Sequence, residues 1–428
     1  MQKLEYPSIG ETLYRDTLPN GLRLSVAVKP GFTRAHAFFA TRYGGADRRF
    51  RLGGEFIDTP MGVAHFLEHK MFDMPGGDNA LSTLAANGAQ PNAFTSAGMT
   101  AYYFESTAHF DENLRELLRF VSTPYFTEES VAKEQGIIAQ EIRMGEDEPG
   151  YVGYVELMRC LYDHHPIRDS VAGTVESIAE ITPETLYACH KIFYTPGNMA
   201  LAVVGDVDPE AVRAAAMELL PTESGEIPVR DYGAPEALTP CRTRFTRAME
   251  VSAPQALLGA KLRPAEPGEP LLRQKALMGM ALAYLYGESS RFYNRLYADG
   301  LINTDFFTET DYAADTLTLL AGGETRDPER LLREMTDEAR RAADEGLNEA
   351  LFHRIAKSRY GARLRGLNSF GALCGALVNA DFGGYNALDA FRAAAEITPR
   401  VLRDFIADFF REEDFAMSVI TPGETKGQ

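Results

Sequence analysis

Residues 179–186 read AEITPETL and residues 395–402 read AEITPRVL, an offset of 216. At that offset and without a gap, Phe193 and Tyr194 stand opposite Phe409 and Phe410, and the run MALAVV from Met199 stands opposite FAMSVI from Phe415. Each copy reads as a Thr-Pro pair opening a helix, with proline at the first helical position where its missing N–H is no loss, followed by a short buried strand. Two octamers alone can coincide; the continued match at constant offset points to duplication, and a duplication decides the architecture. Two similar halves are therefore expected. Between them PTESGEIPVRDYGAPEALTP, residues 221–240, is rich in Pro and Gly and poor in periodic apolar residues, which suits a linker. The boundary is placed near residue 230, giving domains 1–228 and 229–428.

Within the first half, strand-like runs at Leu22 to Val28, Ala35 to Arg42, Thr100 to Glu105 and Met199 to Val204 alternate with helical patterns near 61–74, 111–122, 128–145 and 183–193. That is a mixed α/β pattern in which a helical layer covers one face of a sheet.

A chain of 428 residues, 45% of them hydrophobic, can bury cores for two domains of about 200 residues each. The 43 Lys and Arg against 61 Asp and Glu leave a formal charge of −18, which repels phosphate backbones and anionic lipid surfaces and argues against nucleic acid or membrane as partners. The first residues, MQKLEYPSIGETLYRDTLPNG, lack a basic start followed by an apolar run, and no stretch of about 18 apolar residues follows, so neither a signal peptide nor a membrane span is expected. Cys160, Cys189, Cys241 and Cys374 are scattered without a CxxC pair, which indicates no disulfide framework and no thiolate metal site, and fits a reducing cytoplasm.

The chemistry is carried by GVAHFLEHKMF, residues 62–72. His65 and His69 are four apart, which puts both imidazoles on one face of a helix, one turn apart. Glu68 sits on the neighbouring flank, within reach of an attacking water without being forced into the ligand set. This is the inverted arrangement HxxEH. Catalytic zinc takes three protein ligands and leaves a fourth position to water, so a third ligand is needed. The helical stretch TEESVAKEQGIIAQEIRMG, residues 127–145, offers Glu134 and Glu141 seven apart on one face, and the spacing allows either. A chance HxxEH arises on the order of once in a hundred such chains. The bland alternative, two buried imidazoles and a carboxylate on an amphipathic helix beside Phe66 and Phe72, is costly without a metal or partners.

These residues, with LPNGLRL near the start, GAQPNAFTSAGMTAYYFE, FTEESVAKEQGIIAQEI and FYTPGNMALAVVGDVDPE, resemble the M16 or pitrilysin-like metallopeptidases over nearly the whole chain. That family includes insulin-degrading enzyme and mitochondrial processing peptidase. The wording HFLEHKMF with SSRFYNRLYADGLI is most similar to bacterial half-size members. The resemblance implies an α/β (α+β) fold of two homologous units, each a mainly antiparallel sheet with helices on one face, and a zinc peptidase holding one Zn2+ per chain. It implies that Glu141 is the third ligand beside His65 and His69, that Glu68 is the general base, and that Glu134 is a carboxylate outside the ligand set, where a ligating imidazole usually donates its other N–H. It also implies that Asn92, Ala93, Phe94 and Thr95 belong to a sheet edge that holds an extended peptide substrate.

One departure limits the resemblance. Active members carry an Arg and, seven residues later, a Tyr in the second half, reaching the substrate carbonyl. Here, in SRFYNRLYADGLINTDFF, Arg295 is followed seven later by Ile302, and Asn303 stands where the Tyr is expected after Gly300-Leu301, so the pair is not intact. The resemblance therefore implies a heterodimer with a homologous subunit that lacks zinc but supplies the pair, with a homodimer as the alternative. Two other functions compete: a catalytically silent scaffold, which usually loses motif residues that are all present here, and a small-molecule zinc lyase with an HxxEH signature, which the duplicated length argues against. His164 and His165 have no carboxylate at ligand spacing and read as surface or supporting residues, and Glu146-Asp147-Glu148 reads as an exposed helix end.

Overall fold

A computed structural model of the chain describes residues 1–408 and 411–423; Phe409 and Phe410, the expected partners of Phe193 and Tyr194, lie outside the described residues. The strands, numbered along the chain, are β1 (Gln2–Tyr6), β2 (Glu11–Thr17), β3 (Arg23–Val28), β4 (Ala35–Thr41), β5 (Arg49–Leu52), β6 (Glu55–Asp58), β7 (Gln90–Thr95), β8 (Thr100–Ser106), β9 (Met199–Gly205), β10 (Val229–Arg230), β11 (Arg244–Met249), β12 (Gln255–Leu262), β13 (Phe307–Ala313), β14 (Thr316–Glu324) and β15 (Phe415–Pro422). They form a seven-stranded sheet ordered β1-β2-β3-β9-β4-β8-β7, a small sheet β10-β5-β6, and a five-stranded sheet ordered β11-β15-β12-β14-β13. The four expected strands are β3, β4, β8 and β9, and the four expected helices are Val63–Lys70, Phe110–Ser122, Glu128–Glu146 and Pro183–Phe193.

The duplication is visible in the sheets. β9 runs parallel to β3 and antiparallel to β4, as β15 runs parallel to β11 and antiparallel to β12, and the remaining pairs of each five-strand set are antiparallel. The helices repeat as well. Val63–Lys70 and Ala80–Ala86 precede β7 and β8, then Phe110–Ser122, Glu128–Glu146 and Pro149–Leu161 follow. Glu269–Tyr286 and Arg291–Ala298 precede β13 and β14, then Pro328–Glu345, Glu349–Gly366 and Phe370–Gly383 follow. The repeated octamers do the same local work in both copies: Thr182 caps Pro183–Phe193 by accepting from the Thr185 N–H, and Thr398 caps Pro399–Ala407 by accepting from the Val401 N–H, each with proline in the first turn.

The chain packs into two compact units, each of which takes in a segment from the other half. One comprises Met1–Ile142, Ser170–Tyr232 and Leu364–Leu388; the other comprises Arg143–Asp169, Gly233–Arg363 and the described residues from Asp389 onward. In the first unit every residue of β4 and β9 is buried. One face of the sheet, with Leu24, Val26, Phe39, Leu201 and Val203, packs on the first-half helices through Leu67, Leu117 and Phe120. Helix Phe370–Gly383 lies against β4 and β9 on the other face, where Ser25 Oγ donates to Asp381 (2.9 Å) and Cys374 Sγ lies 3.7 Å from the carbonyl oxygens of His36 and Ala202. In the second unit, helix Pro149–Leu161 packs in the same way on β12 and β15. Among the described residues no helix is long and apolar enough to cross a membrane.

Candidate metal centre

Helix Val63–Lys70 starts at Gly62, whose φ of +90° is the left-handed region that favours glycine; a Cβ there would sit 2.5 Å from the Ala172 carbonyl oxygen. The same loop is pinned by Ser177 Oγ donating to the Met61 carbonyl (2.9 Å). Val63, Ala64, Phe66 and Leu67 are buried and fix the rotation of the helix, which leaves His65 and His69 on the remaining face with ring centroids 4.6 Å apart. Helix Glu128–Glu146 buries Val131, Ile138, Ala139 and Ile142. Gln135 Nε2 anchors it further by donating to the carbonyls of Ile178 and Ile181 (3.3 and 3.1 Å).

These two helices bring four of the expected residues together. Glu141 Oε1 lies 3.5 Å from His65 Nε2 and Glu141 Oε2 lies 3.6 Å from His69 Nε2, and the donor atoms of the three side chains all fall within 4.8 Å of one another. The separations exceed normal hydrogen bonds. Ligands at about 2.0–2.1 Å from a tetrahedral zinc sit about 3.3–3.4 Å apart along each edge, so the donor set fits one ion of that kind. Glu134 lies on the other side of the ring, its Oε1 3.0 Å from His69 Nδ1. An Nδ1–H donated to Glu134 orients the ring with Nε2 toward Glu141. Burial works against the Glu134 carboxylate, yet the hydrogen bond and charge of His69, with Lys70 and Lys133, hold its pKa below the ordinary value. Burial, reinforced by the charge of His69, lowers His65 to about 4, so its imidazole is neutral and a competent ligand. His65 Nδ1 is buried without a hydrogen-bond partner among the described residues.

Glu68 is 8% exposed, an unusual place for a lone carboxylate, and burial raises its pKa against the opposing hydrogen bond from Thr95. Thr95 Oγ1 donates to Glu68 Oε2 at 2.6 Å. Thr95 ends β7, the edge strand of the seven-stranded sheet, so Asn92, Ala93, Phe94 and Thr95 lie on that edge with Asn92 and Phe94 exposed. Pro91, which lacks an N–H, suits such an edge. The Ala93 N–H donates to the side chain of Asn92 (2.8 Å). The hydroxyl link from Thr95 to Glu68 was not foreseen; no spacing rule connects a strand terminus to a helix 27 residues earlier.

Other expected residues have separate work. Arg295 pairs with Glu334 (2.5 Å), Ile302 is buried at 4% exposure, and Asn303 Nδ2 donates to Glu324 (3.0 Å). His164 Nε2 meets the Ala234 carbonyl (2.8 Å) and His165 Nδ1 accepts from the Ile167 N–H. Glu236 accepts the backbone N–H groups of Asp163, His164 and His165 and the Lys261 ammonium, which together overcome its burial and bring it to about 2. In the run Glu146-Asp147-Glu148, Glu148 caps helix Pro149–Leu161 through the Gly150 and Tyr151 N–H groups.

The chain is similar to known proteins in sequence and fold. Residues 53–175 match the family model "Insulinase (Peptidase family M16)", and residues 180–359 match "Peptidase M16 inactive domain". The chain is 36% identical to the uncharacterized zinc protease YmfH of Bacillus subtilis over 99% of both chains. A crystal structure of an M16-like peptidase from Alicyclobacillus acidocaldarius superposes with a TM-score of 0.91 at 33% identity, covering 98% of this chain and 100% of that one. Pitrilysin superposes with a TM-score of 0.75 at 15% identity over all of this chain but only 47% of its own, so at that distance the fold is shared and this chain spans about half its length. With the family matched along both halves and a relative matched end to end, the chain belongs to peptidase family M16.

Proposed function

We propose that the protein is a zinc-dependent peptidase that hydrolyses peptide bonds of peptides or small unfolded proteins. The observation that carries this reading is the tripod of His65, His69 and Glu141 with the buried Glu68 carboxylate beside it. In this reading His65, His69 and Glu141 hold one zinc within the catalytic domain, residues 1–228, and residues 229–428 form the homologous domain without metal. Bound zinc supplies a Lewis acid for the scissile carbonyl and lowers the pKa of water to about 7. Glu68 takes the proton of the attacking water and returns it to the leaving amine, a role worth about 10²–10⁴-fold in rate. Its raised pKa suits a base that must later act as an acid. Thr95 holds the accepting oxygen in place, Glu134 orients His69, and the β7 edge at Asn92–Thr95 pairs with an extended peptide.

Arg295 is engaged with Glu334, Ile302 is buried and Asn303 stands where the Tyr is expected, so the Arg and Tyr pair is not intact in this stretch. A chain that spans about half of pitrilysin fits an enzyme assembled from two such chains. The working enzyme is a pair, a heterodimer with a homologous subunit lacking zinc, or else a homodimer. The compartment is the reducing cytoplasm, where the four free thiols stay reduced.

Glu68→Gln tests the assignment. The variant keeps about one zinc per chain and loses peptide hydrolysis, measured on a peptide library by mass spectrometry with the sister subunit present; hydrolysis at the wild-type rate removes Glu68 from its role. Wild-type protein that takes up no zinc returns the chain to the scaffold class.

A further inference from the structure

The helices that carry the candidate ligands have counterparts in the second half. Glu269–Tyr286 stands in the place of Val63–Lys70, and Glu349–Gly366 in the place of Glu128–Glu146. No metal-ligating cluster accompanies them among the described residues. A cavity of about 300 Å³ lies between these two helices and Ala390–Ala395. That is the small end of ligand pockets, which run to about 1,000 Å³.

Its walls are largely apolar, with Met280, Phe352, Tyr360, Phe391 and Ile397, the exposed His353 and Lys357 stand at its lining, and none of its lining residues is acidic. Two guanidiniums enter it. Arg363 donates one N–H to the Ala390 carbonyl (2.9 Å) and lies 5.6 Å from the centre of the Phe391 ring. Arg359 has no hydrogen bond or ion pair among the described residues, and its head fills the space left by Gly279, where any Cβ would collide with it. Burial, and for Arg359 also the charge of Arg363, pushes the pKa of both downward with no carboxylate opposing. In a chain of net charge −18, helix Glu349–Gly366 carries Arg354, Lys357, Arg359, Arg363 and Arg365 against the single acid Glu349. Arg359 and Arg363 are half-buried, and a cation partly withdrawn from water without a counter-charge is stabilised when an anion completes it.

We propose that this cavity is a binding site for a small organic acid, a carboxylate on an apolar or aromatic body, held by Arg359 and Arg363. The planar guanidinium fork matches a carboxylate in two-point contact, and the aromatic wall takes the apolar part. The carboxylate belongs either to a free acid or to the C-terminus of a peptide. The proposal stands apart from the peptidase reading, since every lining residue lies outside the zinc-ligand helices.

Calorimetric titration of the full chain tests it. The probes are 3-phenylpropanoate for a free acid, N-acetylphenylalanine for a peptide C-terminus, their uncharged amides, and inorganic phosphate. Saturable binding of one or both acids is expected, with the tighter of the two identifying the source, and the amides about tenfold or more weaker. Arg359→Gln weakens the acid by a similar factor without changing the melting temperature. Gly279→Ala, a favourable change in a helix interior, displaces the Arg359 head and weakens binding independently. The proposal is overturned if neither acid binds at millimolar concentration, if acid and amide bind alike, if phosphate is preferred, or if both variants bind as wild type does.

Discussion

Glu134 and Glu141 lie on one helix face and are both chemically able to bind zinc, so a graded substitution of Glu134 is the sharpest test of how the centre is built. Its carboxylate is 15% exposed and touches His69 Nδ1 at 3.0 Å, while Glu141 faces the Nε2 atoms of both histidines. Replacing a carboxylate behind a ligating histidine costs about 10–100-fold in metal affinity, or about 1.4–2.7 kcal/mol. Glu134→Gln keeps an acceptor oxygen and loses only the charge, so it belongs at the tenfold end. Glu134→Ala loses both and belongs at the hundredfold end. Glu141→Gln removes a proposed ligand and exceeds either. Competition against a chromophoric chelator at fixed pH and ionic strength, with circular dichroism to confirm folding, measures all three. If Glu134→Gln releases zinc as completely as Glu141→Gln, Glu134 is itself a ligand. If Glu134→Ala binds zinc as the wild type does, the contact to His69 has no orienting role.

Thr95→Val keeps the shape of the side chain and removes the hydrogen bond to Glu68 (2.6 Å); a bond to a charged group is worth about 1.5–3 kcal/mol, so kcat falls about tenfold or more with zinc content unchanged. His190 is 7% exposed, bonded through Nε2 to the Val121 carbonyl (2.9 Å), and lowered by burial to about 4 from 6.5. A depressed folded-state pKa means that the unfolded chain binds the proton first, so its stabilisation is complete above about pH 6.5 and is lost as pH falls toward 4. Between pH 7 and pH 5 the share of His190 is about 2 kcal/mol, and urea titrations of His190→Gln should show a pH slope smaller by that amount; an unchanged slope rejects the buried neutral imidazole.

The parts of this structure that were legible in sequence are those governed by local spacing. His65 and His69 four apart, Glu134 and Glu141 seven apart, and Thr182 and Thr398 before proline each follow from helix geometry and capping alone. β3, β4, β8 and β9 were legible because they are apolar runs; β4 and β9 are buried throughout. β7 alternates exposed and half-buried positions around Pro91, so its hydrophobic signal is weak, and it was approached only through family resemblance. The choice between Glu134 and Glu141 was not legible either, because it depends on which carboxylate meets which ring nitrogen across two helices. The same holds for Thr95 and Glu68, joined only by the packing of β7 against helix Val63–Lys70.

The sequence repeat places a boundary near residue 230, whereas packing assigns Leu364–Leu388 to the unit that holds the candidate metal centre. That difference has a measurable consequence. Helix Phe370–Gly383 contributes Phe370, Leu373, Cys374, Leu377 and Val378, each 5% exposed or less, to the face of β4 and β9. At about 1.5–3 kcal/mol for each of the four large apolar side chains, Phe370, Leu373, Leu377 and Val378, the helix supplies roughly 6–12 kcal/mol, comparable to the whole stability of an ordinary domain, about 5–15 kcal/mol. It also brings Asp381 to Ser25 and Arg15, leaving their polar groups without that partner when it is removed. A fragment of residues 1–228 therefore contains all four residues His65, Glu68, His69 and Glu141, yet should not fold cooperatively: it should bind a hydrophobic dye and show no sharp urea transition. If it unfolds with a midpoint near that of the full chain and takes up one zinc, helix Phe370–Gly383 is dispensable and the two halves are independent folding units after all.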